Sequence, residues 1–166
     1  MKAGKKYIVI AAIVALLLIA NKVSAEAIIK QFEGLRLTAY PDSAGIWTIG
    51  FGTTINPENG QRIKAGDKIT EAQALRWLKL QTQTTRAAVE RLVKVPINDR
   101  QLSALTSLAY NIGITAFSQS TLLRYLNQKM DKEIVAKQFL RWNRAGGKVL
   151  PGLTKRRQLE ADLFLI

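Results

Sequence analysis

Glu33, Asp42 and Thr48 stand nine and then six positions apart in the stretch FEGLRLTAYPDSAGIWTIGFG, residues 32–52. Two carboxyls and a hydroxyl at that spacing form a set with a definite chemistry. Glycosidic bonds are commonly broken by a pair of carboxyl groups, one protonated and one ionised. The protonated member must hold its proton near neutral pH, usually because apolar surroundings raise its pKa. Glu33 follows Phe32 at the edge of an apolar helix face and precedes Gly34, a setting that fits the proton donor. Asp42 lies in YPDSAG, a polar turn suited to a carboxylate that stays charged. Thr48 offers a hydroxyl that donates and accepts, the equipment needed to orient an attacking water. Helix end, turn and strand converge only if the chain folds back on itself, which glycines at 34, 45, 50 and 52 permit. The spacing also arises by accident at roughly the one-to-two per cent level, so three ordinary surface residues is the competing reading.

Composition narrows the alternatives. The 166 residues contain no cysteine and no histidine. Disulfides, thiol nucleophiles and Ser/His or Cys/His relays are thereby excluded, and a zinc site is disfavoured. The chemistry expected here needs no cofactor. A formal charge of +13, from 25 Lys+Arg against 12 Asp+Glu, calls for an anionic setting. The basic residues are scattered, with Lys155–Arg157 the densest run, and no nucleic-acid-binding module is recognisable.

The elements that must position the three residues follow from patterning. Residues 1–25 form an export segment: a basic start, an uninterrupted apolar run over 7–20, then NKVSA with a possible cleavage point after Ala25. Fourteen residues make about 21 Å of helix, short of the roughly 30 Å of a bilayer core, so any anchor is weak. Whether the segment is cleaved or kept stays open. Residues 26–166 form the second unit, which still holds 21 Lys+Arg against 12 Asp+Glu. Ile28, Ile29, Phe32 and Leu35 share one helical face. Leu37 to Gly66 alternates aromatic and β-branched runs with PDSAG, GFG, NPENG and KAGD, predicting a two- or three-stranded antiparallel sheet. Thr70 with Gln73 opens a long helix to about Lys94, and Asn98 with Gln101 opens another beyond Pro96. Further helices are predicted at Ser120–Gln128, Asp131–Trp142 and Thr154–Leu165, with RAGGKVLPG as a loop. The class is α+β: a small antiparallel sheet subdomain and a helical lobe with a cleft between, preceded by an N-terminal apolar helix.

The segment EGLRLTAYPDSAGIWTIGFG resembles the active-site region of the phage-type lysozymes, the endolysins of glycoside hydrolase family 24. The likeness continues through Ser107–Asn127 and Phe139–Phe164, covering nearly everything after the N-terminal segment. It implies a lysozyme-like fold, with Glu33 as general acid, Asp42 as the carboxylate that activates water and Thr48 as its positioning partner. It further implies a monomeric muramidase that cleaves the β-1,4 bond between N-acetylmuramic acid and N-acetylglucosamine of peptidoglycan, with inversion, during host lysis. Tyr110 and Asn111 are expected to line the far cleft wall, Trp142 and Arg144 to flank it, and Arg141 or Arg156 to pair with a carboxylate. Plain core packing competes for Trp142. Thr53 departs from the pattern, since many relatives carry histidine there, and a structural charge pair is expected to be missing. The short apolar run so close to Glu33 resembles signal-arrest-release endolysins: exported to the periplasm of a Gram-negative host, tethered to the inner membrane through residues 7–20, then freed. A non-catalytic wall-binding protein, or a cationic membrane-disrupting protein acting through the helix around Lys155–Arg157, are the alternatives.

Overall fold

The structure, a computed structural model, describes residues 23–42 and 44–166. The expected N-terminal apolar helix lies outside the described residues. Helix α1, Ala25–Glu33, opens on Ser24, whose hydroxyl accepts the Ala27 N–H at 3.2 Å. It ends at Gly34, whose φ of +69° is a conformation other residues avoid. Leu35 therefore falls beyond the helix instead of extending its apolar face, and it is exposed.

Strands β1 (Arg36–Pro41) and β2 (Trp47–Gly50) pair antiparallel, with Tyr40 opposite Thr48 and Pro41 opposite Trp47. Single bridges Thr38–Lys68, Ile49–Thr53 and Ile55–Arg62 fold the following chain back onto this ribbon. Ile49, Ile63 and Trp77 form the small core beneath it. Helix α2 (Glu71–Leu92) begins with the reciprocal Thr70–Gln73 cap read from the sequence. It packs against β2 and against α3 (Asp99–Ile112), so it joins the two lobes. Helix α3 carries the second reciprocal cap, Asn98 with Gln101, and is buried all round from Leu102 to Ala109. That makes it the axis of the helical lobe, with α1, α2 and the last helix, α7 (Pro151–Leu165), against it.

Short helices α4 (Ile114–Ser118), α5 (Thr121–Asn127) and α6 (Lys132–Lys137) and a 3₁₀ turn (Phe139–Trp142) complete the lobe. The continuous helix predicted from Asp131 to Trp142 is broken at Gln138. Three-per-turn winding beyond it sends Phe139 into the core, with its ring 5.7 Å from that of Phe164. The segment predicted as a plain loop holds a hairpin of β3 (Arg144–Ala145) and β4 (Lys148–Val149). Gly146 and Gly147, with φ of +55° and +77°, supply the left-handed corner such a hairpin needs. Helix α7 starts at Pro151, before the predicted Thr154, because proline suits the first helical turn. None of the helices among the described residues is long and apolar enough to cross a membrane.

Candidate active site

Glu33 is the last residue of α1, so its side chain leaves the helix where Gly34 turns the chain toward the sheet. Its side chain is 22 % exposed, reached by solvent yet held on several sides. Oε1 accepts from Arg156 Nη1 at 2.6 Å and from Asn111 Nδ2 at 3.4 Å. Oε2 faces the turn after β2: a Cβ added to Gly52 would stand 3.4 Å from it, and Gly52 has φ +89°. Glycine there serves both the turn and the close approach. The carboxyl thus sits at the seam between lobes, touched by α3 and α7 on one side and the sheet turn on the other.

Asp42 and Thr48 meet at Ile46. The Asp42 N–H and the Thr48 hydroxyl both donate to the Ile46 carbonyl, at 2.9 and 3.0 Å. Asp42 Oδ1 accepts the N–H groups of Ala44 and Ile46, each at 2.8 Å, which fixes the carboxylate's orientation across the turn. Thr48 is buried on β2. The β1–β2 hairpin therefore builds one carboxylate and one hydroxyl into a rigid turn, while α1 supplies the other carboxyl.

Tyr110 and Asn111, neighbours on α3, both reach this seam. The Tyr110 hydroxyl lies 2.9 Å from the Phe51 carbonyl and 3.1 Å from Gln81 Oε1. Burial, and after it the charge of Glu33, pushes the Tyr110 phenol well above the ordinary tyrosine range. Gln81 Oε1 also accepts from the Thr53 hydroxyl at 2.9 Å. Neutral hydrogen bonds thus occupy the position at which a charge pair was expected to be missing. Beside them opens a cavity of about 540 Å³, bounded by Gly52, Thr54, Leu80, Gln81, Thr85 and Tyr110, with residues from both lobes. Hydroxyls, an amide and apolar edges are the lining a sugar chain suits.

Trp142 and Arg144 stand elsewhere. Trp142 is half-buried against the helical core and borders a second cavity, about 430 Å³, with Gln119, Gln138 and Arg141. Arg144 is exposed on β3 and donates to the Gly147 carbonyl at 3.1 Å. Among the described residues, no hydrogen bond or ion pair joins either to Glu33. Of the two arginines expected to pair with a carboxylate, Arg156 does so. Arg141 reaches the amide oxygen of Gln138 at 3.5 Å.

Sequence reasoning passed over Ser107, Arg157 and Glu160. Lys155–Arg157 is the densest basic run of the sequence, yet Arg156 and Arg157 are both buried with Glu160 inside α7. Charges spaced R-R-x-x-E on a helix otherwise facing the core were the available signal, because i,i+3 and i,i+4 pairs share one face. Burial pushes Glu160 above the usual carboxylate range and brings Arg157 down to about 10. No cluster of carboxylates able to hold a metal occurs among the described residues.

A small sheet lobe and a helical lobe, spanned by one long helix and meeting at a single held carboxyl, define a lysozyme-like enzyme. The phage lysozyme family is matched over residues 30–160, and the chain belongs to that family of glycoside hydrolases. It is 43 % identical over 141 residues to the endolysin of Acyrthosiphon pisum secondary endosymbiont phage 1, covering 82 % of this chain and 92 % of the relative. The SAR-endolysin of Enterobacteria phage P21 is 36 % identical over 133 residues, covering 80 % of this chain and 77 % of the relative. A solved endolysin from Escherichia coli O157:H7 phage FAHEc1 superposes with a TM-score of 0.76 at 41 % identity, over 87 % of this chain and 92 % of that one.

Proposed function

We propose that the chain is a muramidase of phage-induced host lysis, cleaving the β-1,4 bond between N-acetylmuramic acid and N-acetylglucosamine in peptidoglycan. The observation that carries this is the Glu33 carboxyl at the lobe seam, beside Gly52, which borders the cavity between the lobes. Glu33 protonates the departing glycosidic oxygen. Asp42, its orientation fixed by two backbone N–H groups, takes the proton of a water that Thr48 helps to aim. Attack by that water on the opposite face of the sugar inverts the anomeric centre. Tyr110 and Asn111 bound the cleft on the α3 side. No cofactor takes part, and the working unit is a monomer.

Residues 1–25 export the enzyme to the periplasm, with residues 7–20 as a weak inner-membrane tether, and residues 26–166 form the catalytic domain. Likeness to a relative named SAR-endolysin supports a segment that is released uncleaved. Packing supports it too. Ser24 caps α1, Ala25 is 5 % exposed within a core cluster, and Val23 packs on the main core, so cleavage after Ala25 would strip all three. The membrane-disrupting alternative loses its carriers, because Arg156 and Arg157 are buried and Lys155 alone of that run is exposed.

Glu33→Gln tests the activity. The variant keeps its fold by circular dichroism and loses clearing of permeabilised Gram-negative cell suspensions by at least about a thousandfold, as expected for removal of a proton donor. Retained clearing by folded Glu33→Gln would overturn the muramidase reading.

A further inference from the structure

Arg156, Arg157 and Glu160 bury three charges on one turn of α7. Isolated burial of that kind costs several kcal/mol per ion, so each must be matched. Glu160 Oε1 accepts from Ser107 Oγ at 2.6 Å, Arg156 Nε at 3.1 Å and Arg157 Nη2 at 3.1 Å. Three donors converging on one oxygen describe an ionised carboxylate. Arg157 Nε lies a further 2.9 Å from Oε2. Arg156 is gripped from behind by Glu160, while its Nη2 donates to the Ser107 carbonyl at 3.3 Å and its Nη1 reaches Glu33. The Phe32 ring, 5.9 Å from its Cζ, closes another side. The guanidinium therefore has one place to be, at Glu33.

We infer that Glu160 is a positioning residue for Glu33: it anchors Arg156 and, with Arg157, sets the charge against which Glu33 gains and loses its proton. Two arginines and two carboxylates balance when Glu33 is ionised. Protonating Glu33 leaves one uncompensated positive charge in a buried cluster. Other elements packed on α7 do not compensate it. Helix α3 faces the cluster with Ser107 and the uncharged Tyr110, α1 contributes Glu33 itself, and Lys132, Glu133, Lys137 and Arg141 of α6 and the 3₁₀ turn are exposed. The inference rests on Glu33 being the proton donor.

The test is the pH dependence of kcat/KM of the full chain on purified sacculi, whose basic limb reports loss of the donor's proton. Glu160→Gln removes a negative charge, so the basic limb moves down by about one pH unit. Arg157→Met removes a positive charge, so the limb moves up by about as much. The double variant rebalances the cluster and returns the limb to within about 0.3 units of wild type. A purely packing role lowers the rate without opposite displacements. Folded single variants whose limbs overlay wild type, or move the same way, overturn the inference. If neither single variant folds, the double variant decides, since it swaps a buried pair for neutral side chains of similar volume. Its limb then lies on wild type, or sinks the proposal by standing a unit or more away. Activity surviving in Glu33→Gln would instead overturn the reading of Glu33, whatever these limbs do.

Discussion

At the scale of single residues, Tyr110 has a measurable signature. Its phenol is held above the ordinary range by burial and by the neighbouring Glu33. A group whose folded value is raised contributes stability that is complete below its unfolded value, about pH 10 for tyrosine, and lost as pH climbs beyond it. Unfolding free energy of the wild type therefore falls above pH 10 by about 1.4 kcal/mol per unit from this group alone. In Tyr110→Phe that share of the slope disappears, while about 1 kcal/mol is lost at neutral pH with the hydrogen bonds to Phe51 and Gln81. Urea denaturation of both proteins between pH 8 and 11 reads the difference directly. Glu33, Asp42 and Thr48 were legible as a set at this scale because they lie within sixteen residues of one another, in a segment whose turns announce themselves. Glu160 and Ser107 were not. They act through Arg156, whose contact with Glu33 spans 123 positions, and short-range spacing carries no trace of such a pairing.

At the scale of elements, the caps were the most readable part of the fold. Thr70 and Gln73 satisfy each other's backbone N–H groups as the sequence pattern requires, and α2 begins there. Because α2 touches both lobes, its first turn holds Ala74 under Phe51 and so supports the turn that faces Glu33. Thr70→Ala is expected to cost about 1 kcal/mol, lowering Tm by about 2–4 °C, with activity at 25 °C unchanged. Differential scanning calorimetry with a parallel rate measurement checks both. Elements of five residues or fewer were the ones missed. Helix α4 and the β3–β4 hairpin are too short for a periodicity to show, and their conformations depend on Gly113, Gly146 and Gly147 adopting positive φ. The break at Gln138 leaves little mark in the sequence for a related reason: helical and 3₁₀ spacings place Phe139 and Trp142 on nearly the same side.

For the whole molecule, the proposed export segment and the start of the proposed catalytic domain are not cleanly separable. Val23, Ser24 and Ala25 belong to the segment by pattern and to the core and first helix by packing. Protein recovered from the periplasm of lysing cells is expected to retain its segment, with an N-terminus well before Glu26 by Edman sequencing or intact mass. A mature form starting at Glu26 would contradict retention. The link between Glu33 and Arg156 reaches further still. One end of it lies on α1, the first described helix, and the other on α7, the last. Across the 123 positions between them, a nascent chain carries Glu33 without the arginine that holds it, and the contact forms only once the ribosome has delivered α7.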